Sequence, residues 1–330
     1  MSKRNLPFRA RYYLMLTALL FLIGNVATAS VAWAESRLAA PRTADEPDPD
    51  LATIVQAPVR NPIVDDVFYF VLPDRFQNGD SSNDRGKITG DRLKTGFDPA
   101  HKGFYHGGDL AGLLDKMDYL EEMGVTAIWM TPIFKNRAVQ GSGTNVSAGY
   151  HGYWITDFTQ VDPHWGTNAE LTALIDEAHS RDMKIFFDII TNHTADVIQY
   201  QEGEDGYRNK QNFPYLDADG NAFDDRDFIT GTFPTLDAET SFPYTPVFDV
   251  AGDEKVKVPV WLNDPTFYHN RGDSTFSGEN SLYGDFFGLD DLFTEQPQVV
   301  SGMSDIYKAW ISNFDIDGFR IDTVKHVNVE

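Results

Sequence analysis

Near the end of the chain Arg320, Asp322, Lys325 and His326 follow one another closely, directly after the apolar stretch Gly318–Ile321. That stretch reads as a short buried strand, and charge at the end of a buried strand needs a reason. Side chains alternate across a strand, so an arginine two residues before an aspartate lies on the same face. The guanidinium can then hydrogen-bond the carboxylate and hold it ionised and oriented. The plain alternative for an isolated Arg-x-Asp is a salt bridge that closes a strand.

Other chemistry-bearing residues gather where apolar runs stop. Asp188, Asn192 and His193 end the run that begins at Lys184; Tyr150-His151-Gly152-Tyr153-Trp154 is a ring-rich loop; Asp290 and Asp291 follow Gly288-Leu289. The stretch Asp74–Asp84, with Asn78, Asp80, Asn83 and Asp84, is rich in oxygen donors, as is Gly107-Gly108-Asp109. Taken singly, a strand-end aspartate is most simply a cap, a ring cluster is core, and an Asn/Asp/Ser run is a solvated turn. Asp217, Asp219 and Asn221 have the spacing of a calcium loop, but the glycine is misplaced and the terminal glutamate absent, so a plain turn is expected there.

The elements that must position these residues are legible as alternating periods. Val67–Leu72, Val125–Met130 and Lys184–Ile190 are continuous apolar runs of strand length, with Gly318–Ile321 as a fourth. Between them, helical spacing joins Leu110, Leu113, Leu114, Met117, Leu120 and Met123, with Gly124 as the stop. A second helix is expected over about Asn168–Arg181, and a third carries Met303, Ile306, Trp310 and Phe314. Strand–helix alternation with continuous apolar strands predicts an α/β fold with a parallel sheet, and polar residues at the strands' carboxyl ends suit a (β/α)8 TIM barrel. From His193 to about Phe293 the alternation stops in an acidic, aromatic, turn-rich stretch. This predicts an irregular, β-rich inserted subdomain after the third strand.

Composition narrows the function classes. The 330 residues carry a formal charge of −23 and no cysteine, which excludes disulfides, thiolate metal sites and a cysteine nucleophile. An acidic surface repels phosphate, so nucleic acid and anionic membranes are poor partners, whereas neutral substrates and divalent cations are suitable ones. Met1–Ala34 contains Lys3, Arg4, Arg9 and Arg11 but no acid, then an apolar run, and ends in Ala32-Trp33-Ala34. That is the anatomy of a secretory signal peptide, predicting a secreted or periplasmic protein with no stable membrane association after cleavage; an uncleaved anchor is the competing reading. Residues 35–60 read as a linker.

Gly318-Phe319-Arg320-Ile321-Asp322-Thr323-Val324-Lys325-His326 resembles a motif of the α-amylase family of glycoside hydrolases. Three more motifs follow the family's order: Gly124–Pro132 for its second strand, Asp188–His193 for its D-x-x-x-N-H, and Gly288–Leu292 for its L-P-D-L, although Asp290 stands where proline is usual. The resemblance, over roughly Asp65–Glu330, implies barrel segments at 61–192 and 294–330 around an insert at 193–293. Only about the first four strands would be present, and the chain would stop before the acid/base glutamate, so that this fragment alone is expected to be inactive.

The resemblance further implies Asp322 as nucleophile, with Arg320 keeping it ionised, and His151, Tyr153, Asp188, His193, Lys325 and His326 as groups contacting or supporting the sugar. It implies a Ca2+ ion on Asn192, Asp291 and the His326 carbonyl. A second ion, as in cyclodextrin glucanotransferases, would sit on Asn78, Asp80, Asn83, Asp84, the Gly107 carbonyl and Asp109. The expected substrate is an α-glucan such as starch or maltodextrin, cleaved at α-1,4 bonds. Alternatives are a cyclodextrin glucanotransferase or neopullulanase-like transglycosylase and, in another class, a non-catalytic glucan-binding or transporter-associated protein, against which the joint presence of Arg320, Asp322, His151 and Tyr153 argues.

Overall fold

The computed structural model describes residues 63–328; the leader and the whole linker read from the sequence lie outside them. Four strands, β1 (Phe68–Val71), β2 (Ala127–Met130), β3 (Lys184–Ile189) and β4 (Gly318–Ile321), lie side by side in that order and are all parallel. The register sets Phe70 beside Trp129, Trp129 beside Phe186, and Arg320 beside Asp188. All six residues of β3 are buried, as a strand with neighbours on both sides requires.

The connections are helical. α1 (Leu110–Leu114) and α2 (Met117–Glu122) join β1 to β2, α3 (Asn168–Ser180) precedes β3, and α4 (Pro297–Phe314) precedes β4. The Thr167 hydroxyl caps α3 by accepting from the Glu170 amide, and it donates to the Glu170 carboxylate at 2.7 Å. Leu171, Leu174, Ile175 and Ala178 form the buried face of α3. Pro297 opens α4, where its missing N–H costs nothing, and Asp315 closes it in the left-handed conformation at φ 52°. Trp310 of α4 is buried, and its indole N–H donates to the Phe158 carbonyl at 2.7 Å.

Three expectations need correction. The single helix expected over Leu110–Met123 is broken at Asp115–Lys116. Asp109 caps the first half through the Gly112 amide, and Gly112 packs so closely on Gln77 that a Cβ would fall 1.9 Å from its carbonyl oxygen. The first turn is thereby tied to the loop after β1, while Met117 and Leu120 follow the core. The stretch after β2 is not only loop: Ile155–Val161 forms a strand antiparallel to Phe134–Asn136. Finally, β1 and β4 are less covered than expected, with Phe68, Phe70 and Ile321 exposed by 41%, 50% and 46%. Both are edge strands of the four-stranded sheet, so one flank of each has no neighbour among the described residues.

Between β3 and α4 the chain makes short antiparallel pairs, Gln199–Tyr200 with Pro246–Val247 and Tyr215–Leu216 with Ala222–Phe223. Rings of Tyr215, Phe223, Phe228, Phe233 and Phe293 pack on one another there. The Asp217–Asn221 turn satisfies itself: Asp217 Oδ1 accepts from the Asp219 and Asn221 amides. Asp290 is fully enclosed. It accepts from the Val197 and Ile198 amides and pairs at 2.5 Å with Lys257, which is itself buried against the Tyr268 ring.

Candidate active site

The site forms where β3 and β4 end. Because Arg320 lies beside Asp188 in the register, one guanidinium nitrogen donates to both Asp188 oxygens at 3.1 Å and also to Asp322 Oδ1. Trp129 of β2 and Tyr153 complete the surroundings of Asp188, donating to its Oδ2 from Nε1 at 3.1 Å and from the hydroxyl at 3.2 Å. Burial pushes the Asp188 carboxyl up to about 6, against the pull of Arg320. Donors thus surround Asp188, whereas Asp322 keeps one oxygen outside the Arg320 bond and faces a cavity. The Asp322 amide extends the ladder to Ile189 O at 2.8 Å, and Thr323 then turns the chain away with φ 50°. A non-glycine residue in that region stores strain of order 1 kcal/mol.

The cavity, of about 650 Å³, is lined by Asp322, His151, Tyr153 and His193, and by residues from the insert. The His151 loop is fixed by Gly152, at φ 90°, whose Cβ would lie 2.0 Å from the Pro132 carbonyl. His151 Nδ1 accepts from the Tyr153 amide at 3.1 Å, so the proton of the neutral ring resides on Nε2. Burial, helped by Arg75, pushes the His151 pKa down to about 4, and burial does the same for His193. Both imidazoles are therefore neutral near pH 7, suited to sugar hydroxyls rather than to anions. Burial first, then Asp188, raises the Tyr153 hydroxyl, which stays protonated.

Lys325 and His326 lie on the turn after Thr323 and do not line the cavity. Lys325 is exposed, and His326 Nδ1 is 2.6 Å from the Ser281 carbonyl. Sequence reasoning missed Asp196, Phe286 and Phe287, which do line it. Phe287 is 76% exposed and has φ 56°, an uncovered ring on a strained backbone. Its only sequence signal was its place immediately before the Gly288–Leu292 motif.

Both proposed calcium ligand sets are drawn together in part. Asn192 and Asp291 are buried side by side, with the Leu292 amide donating to the Asn192 carbonyl at 2.7 Å. Thr323 donates to Asn192 Oδ1, the Asn192 amide nitrogen is buried without a partner, and His269 Nδ1 is 2.6 Å from Asp291 Oδ2. Burial pushes Asp291 up to about 7, with His269 opposing. In the other set, Gly107 has φ 94°, and a Cβ there would lie 2.5 Å from Asp84 Oδ1 and 2.7 Å from Asn78 Nδ2. Asp109 accepts from the Gly79 and Asp80 amides and from Asn83 Nδ2, while Asn83 Oδ1 is buried without a partner. Among the described residues no group of three or more His, Cys, Asp or Glu side chains is arranged to hold a metal. The available donors are amide, peptide and carboxylate oxygens, a hard set that fits calcium.

The family model "Alpha amylase, catalytic domain" matches residues 70–330. An alpha-amylase of Streptomyces lividans is 56% identical over 284 residues, covering 86% of this chain and 31% of that protein. A cyclomaltodextrin glucanotransferase of Geobacillus stearothermophilus is 31% identical over 266 residues, 79% of this chain and 31% of its own length. Among solved structures, an Anoxybacillus alpha-amylase superposes with a TM-score of 0.52 at 34% identity, over 80% of this chain and 42% of that one. The chain thus spans under half the length of each. With a family match from Phe70 onward and a site built at the ends of parallel strands, the chain belongs to the alpha-amylase catalytic-domain family.

Proposed function

We propose that the complete protein is a retaining glycosidase that cleaves α-1,4-glucosidic bonds in starch and related α-glucans, with Asp322 as nucleophile. The observation that carries this reading is the Arg320 guanidinium shared between Asp188 and Asp322, with only Asp322 opening into the cavity beside His151 and Tyr153. Asp322 attacks the anomeric carbon as the glycosidic oxygen leaves, and water later hydrolyses the glycosyl ester. A second carboxyl must protonate the leaving oxygen, and the resemblance assigns this to a glutamate on the strand after β4. Asp188 does not take that role, because its oxygens are engaged by Arg320, Trp129 and Tyr153. Its part is to hold Arg320 and Tyr153 in place. Labelling with an activated 2-fluoroglucoside followed by peptide mass spectrometry tests the assignment: the ester is expected on Asp322, and an ester on any other residue refutes it.

The Phe287 ring, uncovered at the cavity wall, offers an apolar face to a pyranose. Phe287→Ala is expected to raise KM for maltooligosaccharides about threefold to tenfold with little change in kcat, as loss of roughly 0.5–1.5 kcal/mol of ring contact implies. An unchanged KM would remove Phe287 from the binding surface.

The similarity to a cyclomaltodextrin glucanotransferase supports a second reading, transglycosylation, in which a sugar hydroxyl replaces water at the second step. Cyclic rather than linear products from starch would decide for it. Export rests on the Met1–Ala34 segment, and a mature protein beginning at Met1 would contradict it.

Calcium on Asn192, Asp291 and the His326 carbonyl would tie the insert to the turn after the nucleophile. On Asn78, Asp80, Asn83, Asp84, Gly107 and Asp109 it would tie the loop after β1 to the start of α1. The ion's role is structural cross-linking. Chelation is expected to lower Tm, corresponding to roughly 3 kcal/mol per site at hundredfold saturation. Elemental analysis is expected to find two calcium ions per chain, and one ion would remove the loop site.

A further inference from the structure

Asp196 lines the same cavity as Asp322 and has no part in the mechanism above. Its Oδ1 accepts from Gln199 Nε2 at 2.6 Å, which fixes the plane of the carboxyl. Its Oδ2 is turned toward Gly288, where a Cβ would come within 3.2 Å of it; Gly288 sits at φ 80°. That glycine belongs to the turn whose Phe286, Phe287 and Leu289 line the same cavity. Arg137, the nearest cation, donates to the Asp196 backbone carbonyl at 3.2 Å and to the Asp253 carboxylate at 2.8 Å. A half-buried carboxyl held by one amide, with no cation bonded to its oxygens, needs a reason, because burial without a direct charge partner is unfavourable.

We propose that Asp196 is a sugar-hydroxyl ligand of this cavity, a specificity-determining residue that the insert contributes to the cavity Asp322 lines, with Gln199 orienting it. The assignment rests on the cavity being the glucan site. A carboxylate beside an uncovered ring is the pairing that grips a pyranose, hydroxyl to oxygen and apolar face to ring.

The charged surroundings give the assignment a pH signature. Burial, then Asp290 and Asp273, push the Asp196 carboxyl up to about 7, with Gln199 and Arg137 opposing. Lys257 pairs with Asp290, Asp253 with Arg137, and His151, His193, Tyr153 and Asp322 share the cavity. The ionised carboxylate accepts a hydroxyl more strongly than the neutral acid does. Glucan binding therefore favours the deprotonated form, and KM falls as pH rises through about 7.

The test is steady-state kinetics of the complete protein on maltoheptaose. Asp196→Ala is expected to raise KM about tenfold with kcat within about twofold, the loss of one hydrogen bond to a charged group. Asp196→Asn is expected to abolish the fall of wild-type KM between about pH 6 and pH 8. Should either variant be unstable, Gln199→Leu leaves the acid in place but frees its plane, and is expected to raise KM about threefold. An unchanged KM, a pH-independent wild-type KM, or a loss confined to kcat would each overturn the role of Asp196. An Asp322→Asn variant separates the two assignments. If it is inactive while the Asp196 variants behave as wild type, only the Asp196 role is lost; if it stays active, the glucan-site reading itself fails.

Discussion

Replacing Asp322 with asparagine is expected to lower glucan cleavage by the complete protein at least about a thousandfold, measured as kcat, because an amide cannot form the covalent intermediate. The fold is expected to tolerate the change. Arg320 keeps its two bonds to Asp188, and the backbone bond from residue 322 to Ile189 is indifferent to the side chain. A variant that retains even a tenth of wild-type kcat with an unchanged Tm would show that another group does the chemistry. Arg320→Lys is the informative companion: an ammonium carries the charge, but as a compact, strongly hydrated group on a flexible stem it is not held rigidly between the two carboxylates as the guanidinium is. It is expected to lose activity while remaining folded.

The largest expected effect on stability lies away from the reacting centre, at Lys257. Lys257→Met would leave Asp290 buried with its two backbone donors but no cation. Breaking one side of such a pair is expected to cost about 3–5 kcal/mol, read as a lower midpoint in urea. Adding Asp290→Asn should recover much of the loss, because the amide oxygen can still accept from Val197 or Ile198 without a charge to stabilise. Equal unfolding midpoints for wild type and Lys257→Met would mean the pair contributes nothing. The pair also accounts for an oddity in the sequence. The family resemblance expects proline at position 290, and the aspartate found there is accommodated by a lysine 33 residues upstream.

What could be read in advance was whatever leaves a periodic or contiguous trace. The runs at β1 to β4 were visible because all four are short and apolar, although only β3 is buried along its whole length and the edge strands β1 and β4 are partly exposed. The extent of α3 was visible from the spacing of Leu171, Leu174, Ile175 and Ala178, whereas α4 was visible only through Met303, Ile306, Trp310 and Phe314, its start at Pro297 and its stop at Asp315 leaving no periodic trace. The Ile155–Val161 strand was not visible, since its partner Phe134–Asn136 is too short to carry a pattern and the pairing has register shifts. Helical spacing alone could not report the step at Asp115–Lys116, which a contact with Gln77 imposes. At the site, Arg320 and Asp322 were legible from their period of two. Asp196 and Phe287 were not, because what singles them out is a shared wall built from segments about ninety residues apart.

Several bonds that hold the site and the sheet beneath it join residues far apart along the chain. Thr323 meets Asn192 across 131 positions, Arg320 meets Asp188 across 132, and Trp310 reaches Phe158 across 152. Each such closure must be made before its reward is collected, and its entropic cost grows with the length enclosed. The order of assembly follows. The short pairs Tyr215–Leu216 with Ala222–Phe223 can close while the chain is still largely unfolded, whereas the carboxylate of Asp322 finds Arg320 already aligned only once β3 and β4 have docked. The geometry around Asp322 therefore rests on these long closures, which the pairing of β3 with β4 completes.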